Sequence, residues 1–274
     1  MSIEHRAAVL GDPIEHSLSP AIHNAGYAAL GLSDWEYTRI RCNAEELPGV
    51  VNSADAQFAG FSVTMPGKFA ALNFATSTSE RARLIGSANT LVRRGEGWFA
   101  DNTDCDGVLG ALAEIGVTDL PNGRAVLVGA GGTARPALWA LAQLGVTHVT
   151  VVARSERAYD LEPLAAALGV EFAWVTFDVP NLADIAGATD VLVSTVPSAA
   201  LVSVYTYLAR APKILDVIYD PWPTPLVDAA WKRGSDAVGG LSMLLHQAVG
   251  QFELFTGRTP DVAAMRAALP DVAS

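Results

Sequence analysis

Of the 18 basic residues only Lys68, Lys213 and Lys232 are lysine, and the rest are arginine. A chain that uses arginine by default keeps lysine where arginine fails, and proton transfer is such a task. Arginine stays protonated beyond pH ~12, whereas an ammonium is tuned downward by its surroundings. Lys68 closes the run Ser62-Val63-Thr64-Met65-Pro66-Gly67-Lys68, so it and the Thr64 hydroxyl stand ready for polar contact with one ligand. Lys232 shows that lysines also persist on exposed faces with no such task.

A second set of residues is suited to binding phosphate. Ala125 to Val128 form an apolar run that leads into Gly129-x-Gly131-x-x-Ala134, and an apolar helical pattern continues from Pro136 to Leu144. Strand, glycine turn and helix in that order make a dinucleotide-binding unit. Gly129 permits the sharp turn, Gly131 lets backbone approach a pyrophosphate, and Ala134 lets the helix pack on the strand. The N–H groups at the helix start then face the phosphates. The next strand, Val149 to Ala153, ends in Arg154-Ser155-Glu156-Arg157. An acid at that strand end would bind the ribose 2′-OH of NAD; Arg154, Ser155 and Arg157 suit the 2′-phosphate of NADP instead.

Other polar residues are ambiguous by spacing alone. Ser19 before Pro20 reads as the N-cap of a helix reaching Leu30, which leaves the Ser17 hydroxyl outside the cap. Both serines also fit ordinary turn chemistry. Asp101-Asn102-Thr103-Asp104-Cys105-Asp106-Gly107 invites a calcium-loop reading, but a loop registered on Asn102 puts Ala113 where a bidentate Glu is needed. No metal site is expected. Asp104 by itself is a charge complementing the dipole of a helix that runs to about Leu112. His246, alone on a helix, reads as structural.

The elements that must position these groups alternate as α/β. Strands are expected at Arg6 to Gly11, Trp35 to Ile40 and Phe58 to Val63, with helix at Ala44 to Val51 and a hairpin from Ser87 to Ala100 turning at Gly95-Glu96-Gly97. In open α/β sheets ligands gather at the carboxyl ends of strands, which is where Thr64 and Lys68 lie. After the glycine turn, strands at Phe172 to Val175, Asp190 to Thr195 and Ile214 to Ile218 bring Thr195-Val196-Pro197 and Val217-Ile218-Tyr219 to such ends. Helices at Leu226 to Arg233, Leu241 to Phe255 and Asp261 to Leu269 complete the chain. A dinucleotide unit normally opens its domain, so the hundred-odd residues before this one form another.

At 274 residues the chain is long enough for two cores, and 50% hydrophobic with 17% charged residues excludes disorder. The net charge of −11 speaks against nucleic acid and anionic membranes as partners. No apolar run approaches the ~20 residues of a membrane helix. The N-terminus lacks a basic region followed by an apolar stretch, so no signal peptide is expected. Cys42 and Cys105 have no metal-ligand neighbours and read as reduced cytosolic thiols, giving a cytoplasmic protein. HExxH, paired-Cys and Gly-x-Ser-x-Gly motifs are absent, which removes zinc and serine hydrolase readings.

Together the spaced motifs resemble the shikimate dehydrogenase family over nearly the whole chain. They are Ser17-Leu18-Ser19-Pro20, Ser62-Val63-Thr64-Met65-Pro66-x-Lys68, Ala88-Asn89-Thr90, Asp101-Asn102-Thr103-Asp104-x-x-Gly107, Gly129-Ala130-Gly131-Gly132 and Gly240-Leu241-x-Met243-Leu244-x-x-Gln247. The resemblance implies an α/β fold of two domains with the active site in the cleft between them. Residues 1–103 and 240–274 would form the substrate-binding and catalytic domain, and 104–239 a Rossmann-type, doubly wound NADP-binding domain. It implies NADPH-linked reduction of 3-dehydroshikimate to shikimate on the way to aromatic amino acids, by a monomer or homodimer.

Ser17 and Ser19 would then bind the substrate carboxylate, and Thr64, Asn89, Tyr219 and Gln247 its hydroxyls and ring. Lys68 and Asp104 would be catalytic, a pair that donates the proton and stabilises the developing alkoxide. Asp104 favours the ammonium while burial disfavours it, and the two can titrate as a unit. Cofactor contacts would fall on Gly129, Ala130, Gly131, Gly132 and Thr133, on Ala153, Arg154, Ser155 and Arg157, and on Thr195, Val217 and Gly240. The chain departs from the family at Ala153, where Asn is frequent, at Thr133 for Ala, and at Val196-Pro197 for a more polar pair. Rival readings are the NAD-linked quinate/shikimate branch, a non-catalytic dinucleotide sensor, and a folate-linked dehydrogenase. Two serines at 17 and 19, no acid at 153 to 155, and both Lys68 and Asp104 argue against them.

Overall fold

The computed structural model describes residues 2–270, which divide into two α/β units. The first comprises the chain up to Thr103 together with the segment from Gln247 onward; the second runs from Asp104 to His246. Each has its own six-stranded sheet.

In the first unit the strand order is Trp35–Arg41, His5–Gly11, Phe58–Val63, Thr90–Arg94, Gly97–Asp101 and Ser77–Thr78. The first three are mutually parallel, Thr90–Arg94 runs antiparallel to them, and Gly97–Asp101 turns back along their direction. Arg94 pairs with Gly97, so the hairpin turns on Gly95-Glu96, with Gly95 at the positive φ of 59° that glycine tolerates. The core packs Leu10, Phe61, Val63 and Leu91 around Trp98.

The second sheet is wholly parallel, ordered Asp236–Gly239, Lys213–Asp216, Val191–Ser194, Gly123–Val128, Val146–Val152, Glu171–Val175. Numbered along the chain from Gly123 this is the 3-2-1-4-5-6 order of a Rossmann fold, with its switch point between Gly123–Val128 and Val191–Ser194. Ala125 to Val128 and Val191 to Ser194 are buried throughout, as expected of parallel strands covered on both faces.

Four expectations need correction. The first helix is Ser19–Ala29 with Leu18 at the N-cap, so Ser19 is inside the helix rather than capping it. Pro20 fits one position later because a missing N–H costs nothing anywhere in the first turn. The Ser17 hydroxyl, expected outside the capping, accepts the Ser19 N–H at 3.3 Å. Helix at Ala44 to Val51 shrinks to Leu47–Asn52, since the Asn43 side chain takes the N–H groups of Glu45 and Glu46 and makes a turn there. Finally, the helix Gly240–Thr256 does not belong entirely with the first unit. Its opening turns are tied into the second: Ser242 Oγ donates to Glu114 at 2.8 Å and His246 Nε2 lies 2.7 Å from the same carboxylate. Gly110 permits this approach, as a Cβ there would meet the His246 ring at 2.1 Å.

Candidate active site

The first unit gathers its candidate residues at the carboxyl edge of its sheet. Leu10 pairs with Val63, so the turn after Gly11 and the turn after Val63 lie side by side. Gly11 is needed there, because a Cβ would stand 2.4 Å from the Thr64 methyl. Ser17 and Ser19 follow the first turn; Thr64 and Lys68 follow the second. Lys68 opens the helix Lys68–Phe74 behind Gly67. A cation gains nothing from that end of a helix dipole. Its carbonyl accepts the Ala88 N–H at 3.0 Å, which ties it to the Ala88-Asn89-Thr90 segment.

Asn89 and Gln247, far apart in sequence, are brought together: Asn89 Nδ2 donates to Gln247 Oε1 at 3.4 Å and to Thr103 Oγ1 at 3.0 Å. Asn89 Oδ1 accepts the Thr103 N–H and the Thr90 hydroxyl, each at 2.8 Å. Beneath it runs a buried hydrogen-bond chain that sequence reasoning missed. Tyr37 OH donates to Ser62 Oγ at 2.6 Å, and Ser62 Oγ donates to Gln251 Oε1 at 2.7 Å. Gln251 Nε2 then donates to the Asn89 carbonyl and to Thr90 Oγ1, both at 3.2 Å. Burial pushes the Tyr37 phenol well above its usual range, against hydrogen bonds from Ser62 and Ser19. Burial also drives the imidazole of His23, stacked 4.2 Å from Tyr37, down to about 3. Burial thus biases both the Tyr37 phenol and the His23 imidazole to their neutral forms. Gln251, one turn after Gln247 on the same helix face, was the available signal.

Asp101, at the end of its strand, is held by Arg81 through two 2.7 Å bonds, by Ser79 Oγ at 2.6 Å and by the Asn102 N–H at 2.7 Å. Burial works to raise its carboxyl, but Arg81, Ser79 and Asn102 outweigh it and hold the group below the usual carboxylate range. This clamp fixes the segment that delivers Asn102 and Thr103.

In the second unit a cavity of about 310 Å³ opens at the switch point. Gly129, Ala130, Gly131, Ala153, Arg154, Ser155, Arg157 and Thr195 line it with Val196 and Pro197 of the same strand end, as do two residues the sequence did not single out, Phe177 and Ala200. Gly129 has φ 103°, and a Cβ on it would lie 2.6 Å from Thr195 Oγ1. Gly131 and Gly132 face open space, the room that close backbone approach to a pyrophosphate requires. Gly132 and Thr133 lead into the helix Ala134–Gln143 without lining the cavity. The glycine turn, the helix start behind it and two exposed arginines on one wall fit a dinucleotide with a 2′-phosphate.

Val217, Tyr219 and Gly240 form a separate group in this unit. Gly240 is obligatory, since a Cβ would overlap the Val217 carbonyl at 2.0 Å. Tyr219 is exposed. The loop is anchored by Asp216, which accepts the Thr224 hydroxyl at 2.7 Å and the Ile218 N–H at 3.3 Å. Burial pushes the Asp216 carboxyl up to about 6, with Thr224, Ile218 and Ser194 opposing. Asp104, also in this unit, is buried in the first turn of the helix Asp104–Glu114. Among the described residues no cluster of His, Cys, Asp and Glu is suited to a metal, and no helix is long and apolar enough to cross a membrane.

Sheet order and glycine cavity together define a dinucleotide-binding α/β protein. The shikimate dehydrogenase substrate binding domain matches residues 9–91, and the shikimate 5′-dehydrogenase C-terminal domain matches residues 240–269. The shikimate dehydrogenase (NADP(+)) of Rubrobacter xylanophilus is 38% identical over 271 residues, covering 95% of this chain and 94% of its own length. The crystal structure of Mycobacterium tuberculosis shikimate dehydrogenase is 51% identical, covers 97% of this chain and 100% of that one, and superposes with a TM-score of 0.91. The Thermus thermophilus shikimate 5-dehydrogenase, solved in complex with NADP(H) and shikimate, is 32% identical, covers 96% and 98% of the two chains, and has a TM-score of 0.80. The chain belongs to the shikimate dehydrogenase family.

Proposed function

We propose that this chain catalyses the reversible NADPH-linked reduction of 3-dehydroshikimate to shikimate, in the biosynthesis of aromatic amino acids. The observation that carries the reading is the full-length likeness to NADP-dependent shikimate dehydrogenases. The cavity that joins a glycine turn to Arg154, Ser155 and Arg157 supports it. NADPH, held by those residues, supplies the hydride for the C3 carbonyl carbon. Thr195, Val217 and Gly240 complete the cofactor contacts.

Ser17 and Ser19 receive the substrate carboxylate, and Thr64, Asn89, Gln247 and Tyr219 orient the hydroxyls and ring. Asn89 and Gln247 suit this work because the bonds beneath them fix their amide orientation before substrate arrives. Lys68 and Asp104 provide the proton for the oxygen that becomes the C3 hydroxyl. Apart from Asp104 and Tyr219, the residues proposed for the substrate come from the first unit, and those for the cofactor come from the second. Cys42 and Cys105 are buried free thiols, and the enzyme is taken to be cytoplasmic and monomeric or homodimeric.

Initial rates with shikimate and with quinate, each against NADP and NAD, test the reading. Strong preference for shikimate with NADP is expected. Comparable turnover of quinate with NAD would move the chain to the quinate branch, and no turnover with any pair would leave a nucleotide-binding sensor.

A further inference from the structure

Resting on the NADP reading above, we propose that Trp174 is a positioning residue that sets the preference for a 2′-phosphorylated nucleotide. Arg154 and Ser155 lie on an exposed link between the strand Val146–Val152 and the short helix Glu156–Leu161, and Arg157 in that helix's first turn. Long exposed arginines are mobile; they bind a phosphate well only if the backbone beneath them is already in place. Ala153, at the root of the segment, has no polar side chain to provide that anchor.

Trp174 supplies it from the neighbouring strand Glu171–Val175. Its indole Nε1 donates to the Ala153 carbonyl at 3.1 Å, while the Ala153 N–H donates to the Val175 carbonyl, also at 3.1 Å. The same indole meets the Tyr159 ring edge-on, with centroids 5.4 Å apart and planes at 69°. One side chain therefore grips the arginine segment at both ends, at Ala153 before it and at Tyr159 after it. Arg135, from the helix behind the glycine turn, donates to the Asp160 carbonyl at 2.9 Å and fixes the far end to the phosphate-binding helix. The grip bears on the segment that carries Arg154 and Arg157. A nucleotide without a 2′-phosphate makes no demand on Arg154 and Arg157, so loosening the segment weakens NADP and spares NAD.

The test is Trp174→Phe, which keeps an aromatic ring against Tyr159 and removes the N–H. Calorimetric titration with adenosine 2′,5′-bisphosphate and with adenosine 5′-monophosphate reads the effect without turnover. The bisphosphate Kd is expected to rise about fivefold, the size of one lost neutral hydrogen bond, with the monophosphate Kd unchanged. In the shikimate assay kcat/KM for NADP falls in step, while kcat and KM for shikimate hold. Equal weakening of both nucleotides, or of neither, overturns the proposal. Tyr159→Leu gives a second reading in case the first variant folds poorly: it leaves the indole N–H bond and should cost the bisphosphate about twofold, and an unchanged Kd there counts against the grip. Wild-type protein that binds both nucleotides equally would bring down the NADP reading itself. A normal wild-type preference that Trp174→Phe leaves intact would bring down only the role of Trp174.

Discussion

The two units handle polarity in opposite ways. The first buries a connected chain of neutral groups, Tyr37, Ser62, Gln251, Thr90, Asn89 and Thr103, and passes their orientation up to the residues proposed to hold substrate. The second keeps its central strands apolar and places its polarity on loops beyond the strand ends, where Arg154 and Arg157 are exposed. The difference matches the two ligands proposed. A ring bearing several hydroxyls is recognised by direction, which needs donors and acceptors locked in advance. Phosphates are recognised by charge and by open backbone N–H groups, which tolerate solvent.

The sharpest way to break the comparison is at Lys68, the one residue of the first unit proposed to react rather than to orient. Lys68→Ala is expected to lower kcat by about a thousandfold or more, the scale of lost general acid catalysis. Affinity for NADP should be nearly unchanged, since the cofactor cavity draws none of its lining from the first unit. Near-normal kcat in steady-state assays would remove Lys68 from the chemistry.

Next in size is the clamp under Asn102 and Thr103. Arg81→Met leaves the Asp101 carboxylate buried without its ion partner and should cost about 4 kcal/mol of unfolding free energy, read from urea titrations at neutral pH. The sign with acid follows from the depressed carboxyl. Its contribution is complete above the unfolded value of 3.8 and disappears as pH falls through the lower folded value. Wild type should therefore lose stability below about pH 4, and the variant should lose much less there. A parallel acid response in both proteins would show that the clamp is not the titrating element.

Gln251→Leu tests whether the buried chain is one unit. It strands Ser62 Oγ and removes donors from Asn89 and Thr90, so a loss of about 3 kcal/mol is expected, with KM for shikimate raised and KM for NADP held. A variant that loses stability but keeps its shikimate KM would reduce the chain to packing.

That contrast also decides what could be read from sequence. The second unit was legible because its signals are local: an apolar strand, glycines at fixed spacing and arginines one strand later. The strand Asp236–Gly239 escaped because four residues carry too little pattern. The first unit hid its working parts. A tyrosine, a serine and a glutamine buried from three different elements break no periodicity, and only the fold shows that they touch. Ser19 was misplaced as the N-cap, since Pro20 settles in either of the first two helical positions. Trp174 and Asp216 carry no motif at all; each acts on backbone groups, which sequence does not display.

Asp216 is the exception to the second unit's habit, a carboxyl with no exposed surface at the end of an apolar strand, and it yields the smallest expected effect. Its carboxyl stands at about 6 in the folded chain against 3.8 unfolded, with burial as the main cause. The folded state thus binds this proton more tightly, so the contribution is complete below the unfolded value and is lost as pH rises through about 6. Wild type should give up about 2 kcal/mol between roughly pH 4 and pH 7 on this account. Asp216→Asn keeps an acceptor for the Ile218 N–H and turns its amide to the Thr224 oxygen, without the charge. It should match wild type near pH 4 and exceed it at pH 7, as read from urea midpoints at the two values. A difference that does not change with pH would show that the carboxyl ionises in the folded chain as readily as in the unfolded one. The second unit would then hold a buried charge at neutral pH, where the buried chain of the first holds only neutral groups.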